Sequence, residues 1–349
     1  MNRYSPRFEG REIVDFLSVC SLHKSGAVIY ISSFSMGAIG ALFVSRYAKS
    51  LGLLDRPNNR SSHHHITPRG GAVGILAAFI LCSLQIDVPI LFWLPLSLMA
   101  GLALVGDRIE VAPGLRLFGQ LLLAGILVWG YISGPSDFFV LGMVLFWTIF
   151  IVGTANFYNF MDGINGIAGL TGFIGFGMLA AFICFTGGQK QFSIITMSLS
   201  LSCLGFLPFN MPKARVFMGD VGSILLGAVF AGVVYMQSTN ILDFVCMSSF
   251  LFPFYADELT TIYVRLRNGE RLTRPHRRHV YQLLANEKRI PHWPVSIAYG
   301  LVQLLVGASI LVLRNRGLVV VFSALIIYFA VFTLTGSLIR SSVRIRPES

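Results

Sequence analysis

Apolar runs of about 20 residues, interrupted by glycine, proline or charge, recur along this chain from Ala27 to Ile339. A run of that length matches the hydrocarbon thickness of a bilayer when it is helical, because a helix satisfies its own backbone hydrogen bonds where no water is present. Just over half of the chain is apolar (54%), only 12% is charged, and there are 29 phenylalanines, a balance no soluble domain of this length carries. The fold class that follows is an all-α polytopic membrane protein of about eleven spans. They are expected near 27–48, 71–86, 89–106, 115–133, 138–156, 164–186, 191–209, 222–237, 240–264, 294–313 and 317–339. The second and eighth are short, which tilt or local thinning accommodates. The ninth carries Pro253, Asp257 and Glu258 and is expected to be broken.

Residues 1–26 mix polar and apolar types without the continuous apolar stretch of a signal peptide and are expected to form a short extramembrane arm. A single transmembrane domain over 27–340 and a short cytoplasmic tail over 341–349 complete the organisation. The five cysteines are scattered, with no C-x-x-C pair, and suit packing rather than disulfides or zinc. The net charge of +11 could point to nucleic acid, but its distribution gives a simpler account. The loops at 46–70, 107–116, 156–163, 210–221 and 265–293 and the tail from 340 hold about 20 of the 27 Lys and Arg residues; the alternate side holds about 7. The positive-inside rule makes the first side cytoplasmic, with the N-terminus outside and the C-terminus inside. A multi-pass membrane protein with no nucleic-acid partner is the expectation.

Every polar motif falls on that side. Asn156-Phe-Tyr-Asn159-Phe-Met-Asp162-Gly-Ile-Asn165-Gly places a carboxylate and three amides at a membrane edge, where charge is costly unless it has a role. Val216-Phe217-Met-Gly-Asp220-Val-Gly-Ser223 has the same character. Both aspartates adjoin glycine and a span, and hard carboxylate oxygens beside a phosphate site suit magnesium. Asn159, Asn165 and Asn210 are amides at one depth, able to bond a nucleobase or ribose, and Phe217 offers a stacking face or an interfacial aromatic. Asp107 follows Gly106 at the end of the third span, as half of a salt bridge with Arg108, or as a catalytic carboxylate that helps hold a divalent cation or orients an attacking phosphate. The first loop, Asp55-Arg-Pro-Asn-Asn-Arg60-Ser-Ser-His63-His-His-Ile-Thr-Pro-Arg69-Gly-Gly, suits phosphate through arginines and helix-start N–H groups, or is a basic loop beside anionic lipid. Its histidine triplet reads as solvated rather than as a metal site. The late loop sets six arginines, Arg277 among them, with His276 and His279 in a short stretch suited to a pyrophosphate or a lipid surface.

With these loops in this order, the chain resembles the polyprenyl-phosphate N-acetylhexosamine-1-phosphate transferases, glycosyltransferase family 4, over about residues 27 to 340. The nearest resemblance is to the O-antigen-initiating branch, through D-R-P-N-x-R-S-S-H, N-F-M-D-G-I, F-M-G-D-V-G-S and P-H-R-x-H-x-Y-Q. It implies magnesium-dependent transfer of sugar-1-phosphate from a UDP-N-acetylhexosamine to undecaprenyl phosphate, with release of UMP. By the same resemblance Asp220 matches the magnesium ligand and Phe217 the uracil-stacking aromatic. Asn210 matches an amide near the nucleotide, and Asn159 and Asp162 match nucleotide and active-site residues. His276 and His279 match the late histidine motif at the pyrophosphate, and Arg60, His63 and Arg69 the first-loop pattern. A homodimer is compatible with this reading.

The chain also departs from the family pattern. Gly106 stands where the first of two paired aspartates is usual, so only Asp107 remains, and Asn165 replaces a second carboxylate. Ile66 and Ala72 replace Pro and Gly. Fewer carboxylates predict weaker magnesium affinity. A strong general base is not obligatory, because a phosphate monoester with its second pKa near about 6 is mostly dianionic at neutral pH. Two other readings stand beside the transferase: a degenerate member of the family, and a transporter or flippase. A transporter should carry mid-span ionisable groups or an inverted repeat, and neither is visible.

Overall fold

The computed structural model describes residues 24–57, 65–109, 111–132, 138–271 and 277–343. The helices are α1 (Lys24–Leu51), α2 (Val73–Gln85), α3 (Ile90–Arg108), α4 (Pro113–Tyr131), α5 (Phe138–Phe160), α6 (Ile167–Thr186), α7 (Lys190–Asn210), α8 (Asp220–Gln237), α9 (Ile241–Ser248), α10 (Phe252–Arg267), α11 (Val280–Gln282), α12 (His292–Leu313) and α13 (Leu318–Ser341). The single sheet among the described residues pairs β1 (Leu54–Asp55) antiparallel with β2 (Thr67–Pro68), Leu54 opposite Pro68. The protein is an all-α polytopic membrane protein, and a helix lies at each of the eleven expected positions. Among the described residues nine helices are long and apolar enough to cross a membrane, while Val73–Gln85 is shorter. The expected ninth span is divided, as its proline and acidic pair predict, into α9, a 3-10 turn (Ser249–Leu251) and α10. The expected arm over 1–26 falls largely outside the described residues, as do Arg60, His63, His276 and most of the tail.

α8 is the axis of the bundle, with nearly every residue from Val221 to Val234 buried. α3 and α5 flank it, α6 pairs with α7, and α1 lies across α2 and α7. At the edge, α13 buries only Val321 and Gly336, as expected of a helix whose other faces meet lipid. Small residues let backbones approach where no hydrophobic force separates helix from lipid. Gly37 of α1 faces the Ser202 carbonyl of α7, and Gly205 of α7 faces the Phe34 carbonyl of α1. α5 extends to Phe160, four residues past the expected end at 156. The extension is sustained because its amides find partners. Asn156 donates to Gln120 Oε1 at 2.7 Å and Asn159 to Asp220 Oδ1 at 3.0 Å.

Gly205→Val adds a branched side chain against the backbone of α1, where a Cβ alone already collides with the Phe34 carbonyl. The expected result is a loss on the order of 1–3 kcal/mol, measured as a lower unfolding midpoint in detergent, whereas valine at Gly125, where a Cβ meets nothing within 4 Å, leaves the midpoint near wild type.

Candidate active site

One end of the bundle gathers the loops that follow α1, α3, α5 and α7 with the turn before α12, and they enclose a cavity of about 240 Å³. The first loop reaches it because the β1–β2 pairing holds the loop ends together. Beyond that pairing Arg69 N–H donates to the Leu53 carbonyl at 3.0 Å. It is then zipped onto the segment before α8. Phe217 N–H donates to the Pro68 carbonyl at 2.7 Å, and Gly71 and Ala72 N–H donate to the Phe217 and Met218 carbonyls at 2.9 and 3.2 Å. Gly219 makes the turn into α8 at φ +79°, and a Cβ there would press on Gly70 N and Asp107 Oδ2. Only glycine combines that backbone conformation with so close an approach.

Asp107 is the centre of this assembly. Its carboxylate accepts the N–H groups of Asp220 (3.2 Å) and Val221 (3.3 Å), capping the first turn of α8 from another helix. It also forms an ion pair with Arg69. The sequence suggested Arg108 as the partner of Asp107; the structure gives Arg69, because the zipped first loop delivers that guanidinium across the cavity. Asp220, the first residue of α8, accepts Arg116 at 2.6 Å and Asn159 at 3.0 Å, while Asn159 also donates to Ser223 Oγ at 2.8 Å. Asn210 braces two motif loops, accepting Gly166 N–H at 2.6 Å and donating to the Val216 carbonyl at 2.9 Å. The Asn165 backbone is held from α12, donating to His292 Nδ1 at 3.3 Å and accepting Ser296 Oγ at 2.8 Å.

Asp107, Asp162, Asp220, Asn159, Asn165, Asn210, Phe217 and Arg69 therefore all line one cavity. His279 does not. It is buried, with Nε2 at 3.4 Å from Glu258 Oε2. Burial, with the positive charges of Arg340 and Arg265, pushes its pKa down to about 3 and leaves a neutral imidazole. Arg277 is half-buried and also lies off the cavity wall. Asp55, Gln282 and His292 line it without having been singled out as site residues, and Arg116 touches it through Asp220. Arg116 carried a sequence signal that the topology count absorbed: it is a cation one turn inside an apolar helix.

Four carboxylates line the cavity, Asp55, Asp107, Asp162 and Asp220, and of these Asp107 holds Arg69 and Asp220 holds Arg116. Asp162 has no ion-pair partner among the described residues, and its pKa is pushed up to about 7 by burial first and then by the negative charges of Asp220 and Asp107. Hard oxygen donors with surplus negative charge fit a divalent cation of the magnesium type, and the neighbouring guanidinium and amide groups fit phosphate and polar ring atoms.

Known proteins share this sequence pattern. The model of glycosyl transferase family 4 matches residues 89–238. An undecaprenyl-phosphate alpha-N-acetylglucosaminyl 1-phosphate transferase of Thermotoga maritima is 31% identical over 277 residues, covering 76% of this chain and 84% of the relative. One of the same name from Haemophilus influenzae is 29% identical, covering 71% and 76%. A probable undecaprenyl-phosphate N-acetylglucosaminyl 1-phosphate transferase of Bacillus subtilis is 24% identical, covering 88% and 92%.

Because the pKa of Asp162 rises on folding from 3.8 to about 7, its contribution to stability is complete at low pH and is lost as pH rises through that interval. Asp162→Asn removes the charge. In ligand-free protein the variant should be more stable than wild type at pH 8, by on the order of 1–3 kcal/mol, with the advantage shrinking toward pH 4. Thermal unfolding across that range measures it, and a pH-independent difference would contradict the assignment.

Proposed function

The chain belongs to glycosyl transferase family 4, and on that footing we propose that it transfers N-acetylhexosamine-1-phosphate from a UDP-sugar to undecaprenyl phosphate. The products are UMP and the lipid-pyrophosphate-linked sugar that starts a cell-surface polysaccharide of the O-antigen kind. A phosphate oxygen of the acceptor attacks the sugar-bearing phosphorus, the bond to the bridging oxygen breaks, and that oxygen leaves with UMP. The observation that carries the reading is the convergence in one cavity of Asp107, Asp162 and Asp220 with Arg69 and three amides, at the ends of apolar helices, with Arg116 joined to it through Asp220. A water-soluble dianionic donor and a lipid acceptor can meet only at such a boundary.

The residues divide the task by chemistry. Arg69 and Arg116 supply fixed positive charge toward two anionic phosphates. Asn159, Asn165 and Asn210 offer amides toward the nucleoside and sugar, with Phe217 as the face for uracil. Asp220 and Asp162 would hold magnesium, and Asp107 fixes the α8 turn that presents Asp220. Magnesium, when bound, offsets the charge of the phosphates and stabilises charge on the leaving oxygen. With the acceptor phosphate mostly dianionic at neutral pH, no side chain has to remove a proton from it. The excess of Lys and Arg on the motif-bearing side supports a cytoplasmic site in the inner membrane, with the N-terminus outside. The names of the relatives make UDP-N-acetylglucosamine the first donor to try.

The test is purified protein with undecaprenyl phosphate, magnesium and a panel of UDP-N-acetylhexosamines, with UMP as the readout; folded protein that releases none from any donor overturns the reading. Asp220→Asn should lower the rate on the order of 100-fold or more. Arg116→Ala should separate two effects. The rate falls because a phosphate partner is lost, while the magnesium concentration for half-maximal rate decreases because a cation competing for Asp220 is gone. An unchanged or increased magnesium requirement would reject that competition.

A further inference from the structure

The densest buried charge outside the cavity lies where α10, α11 and α13 meet, and at its centre is Asp257 of α10, fully buried. Its Oδ1 accepts Val280 N–H at 2.9 Å and Thr261 Oγ1 at 3.2 Å. Its Oδ2 accepts the Tyr299 hydroxyl at 2.6 Å and Tyr281 N–H at 3.4 Å. Arg340 of α13 stands 3.8 Å from Oδ1 and donates to Thr261 Oγ1 at 3.0 Å. A carboxylate this completely satisfied could be a packing element and nothing more. What sets it apart is the destination of the groups it holds.

Both lead to the Asp162 loop. Tyr281, whose N–H Asp257 fixes, runs its side chain across to the end of α5, where its hydroxyl donates to the Phe160 carbonyl at 3.0 Å. That hydroxyl lies against Gly163, where an added Cβ would collide with it. The next residue, Gln282, lines the cavity. Tyr299, whose hydroxyl Asp257 accepts, is on α12, the helix whose His292 and Ser296 hold the backbone of Asn165. Residues 160–165 are thus clasped from two sides, by Tyr281 and by the start of α12, and the two arms meet on one carboxylate that does not itself line the cavity.

We propose that Asp257 is a positioning residue for the donor cavity: by holding Tyr281 and Tyr299 together it fixes the 160–165 loop and so the placement of Asp162 and Asn165. The effect on catalysis rests on the function proposed above; the effect on the loop does not.

Two variants test it, each read by hydrogen exchange and by steady-state kinetics. Asp257→Asn keeps the shape but turns an NH2 toward groups that donate; Tyr281→Phe keeps the ring and removes the hydroxyl that meets the Phe160 carbonyl, Gly163 and the Gln282 side chain. Exchange at residues 160–166 should accelerate by about 10-fold or more in both, with α3 and α8 unchanged. The KM for UDP-N-acetylglucosamine, or for whichever donor is active, should rise by about 10-fold, with a smaller change in kcat. The double variant should be no worse than Asp257→Asn alone, because Tyr281→Phe removes one of the two arms that the loss of Asp257 already loosens. A merely structural carboxylate would lower the melting temperature while the folded fraction kept wild-type KM and wild-type protection at 160–166; that result overturns the proposal. If Asp257→Asn does not fold, Tyr281→Phe and Tyr299→Phe, which keep both rings, decide by the same readouts. Wild-type protein that releases no UMP would overturn the proposed function, and the exchange measurement, which needs no substrate, would still decide the role of Asp257.

Discussion

The cap that Asp107 places on α8 is the interaction on which the rest of the site depends. A helix start leaves unsatisfied N–H groups, and here two of them are answered by a carboxylate from α3 rather than by a local side chain. The same carboxylate pairs with Arg69 from the first loop. Three segments far apart in sequence, around residues 69, 107 and 220, therefore share one buried charge. Its side chain has no exposure to solvent, so its stability rests on all three partners at once. Asp220 is the first residue of the helix so anchored, and its position follows from the cap rather than from its own contacts.

That arrangement also orders the charges of the cavity. Asp107 is matched by Arg69 and Asp220 by Arg116, in pairs whose arginines stay about a quarter exposed. Asp162 is left to feel both carboxylates without an ion-pair partner among the described residues, and so it is the one whose pKa is lifted to about 7. A cation entering the cavity would find its surplus of negative charge there. Arg69 lines the cavity beside Asp107, and Arg116 reaches it through Asp220.

Much of this was legible in the sequence, for physical reasons that differ between elements. Span positions were readable because apolar length is dictated by the bilayer. The broken ninth helix was readable from Pro253 with Asp257 and Glu258. The convergence of Asp107, Asp162, Asp220 and the three asparagines on one end was implied by alternation of the loops, since helices that cross in turn return every second loop to the same side. Pairing was not readable. Nothing in local spacing distinguishes Arg108 from Arg69 as the partner of Asp107; the choice is made by backbone hydrogen bonds between residues 68–72 and 217–218, which only the folded chain brings together. His279 was placed with the pyrophosphate groups on motif grounds, whereas burial next to Glu258 is a property of how α10 folds back after its break.

Gly106, where the family resemblance leads one to expect a carboxylate, can be read as geometry. A Cβ at this position would meet the Arg116 side chain at ordinary van der Waals distance, 3.8 Å. The position is therefore open enough for a larger residue, and the guanidinium stem lies over it. From there the guanidinium reaches Asp220. The open position at 106 and the ion pair at Asp220 thus both depend on where Arg116 rests. The cavity matches Asp107 and Asp220 with arginines and leaves Asp162 unmatched among the described residues, so its electrostatics toward a cation depend on where the Arg116 guanidinium rests as much as on the number of aspartates.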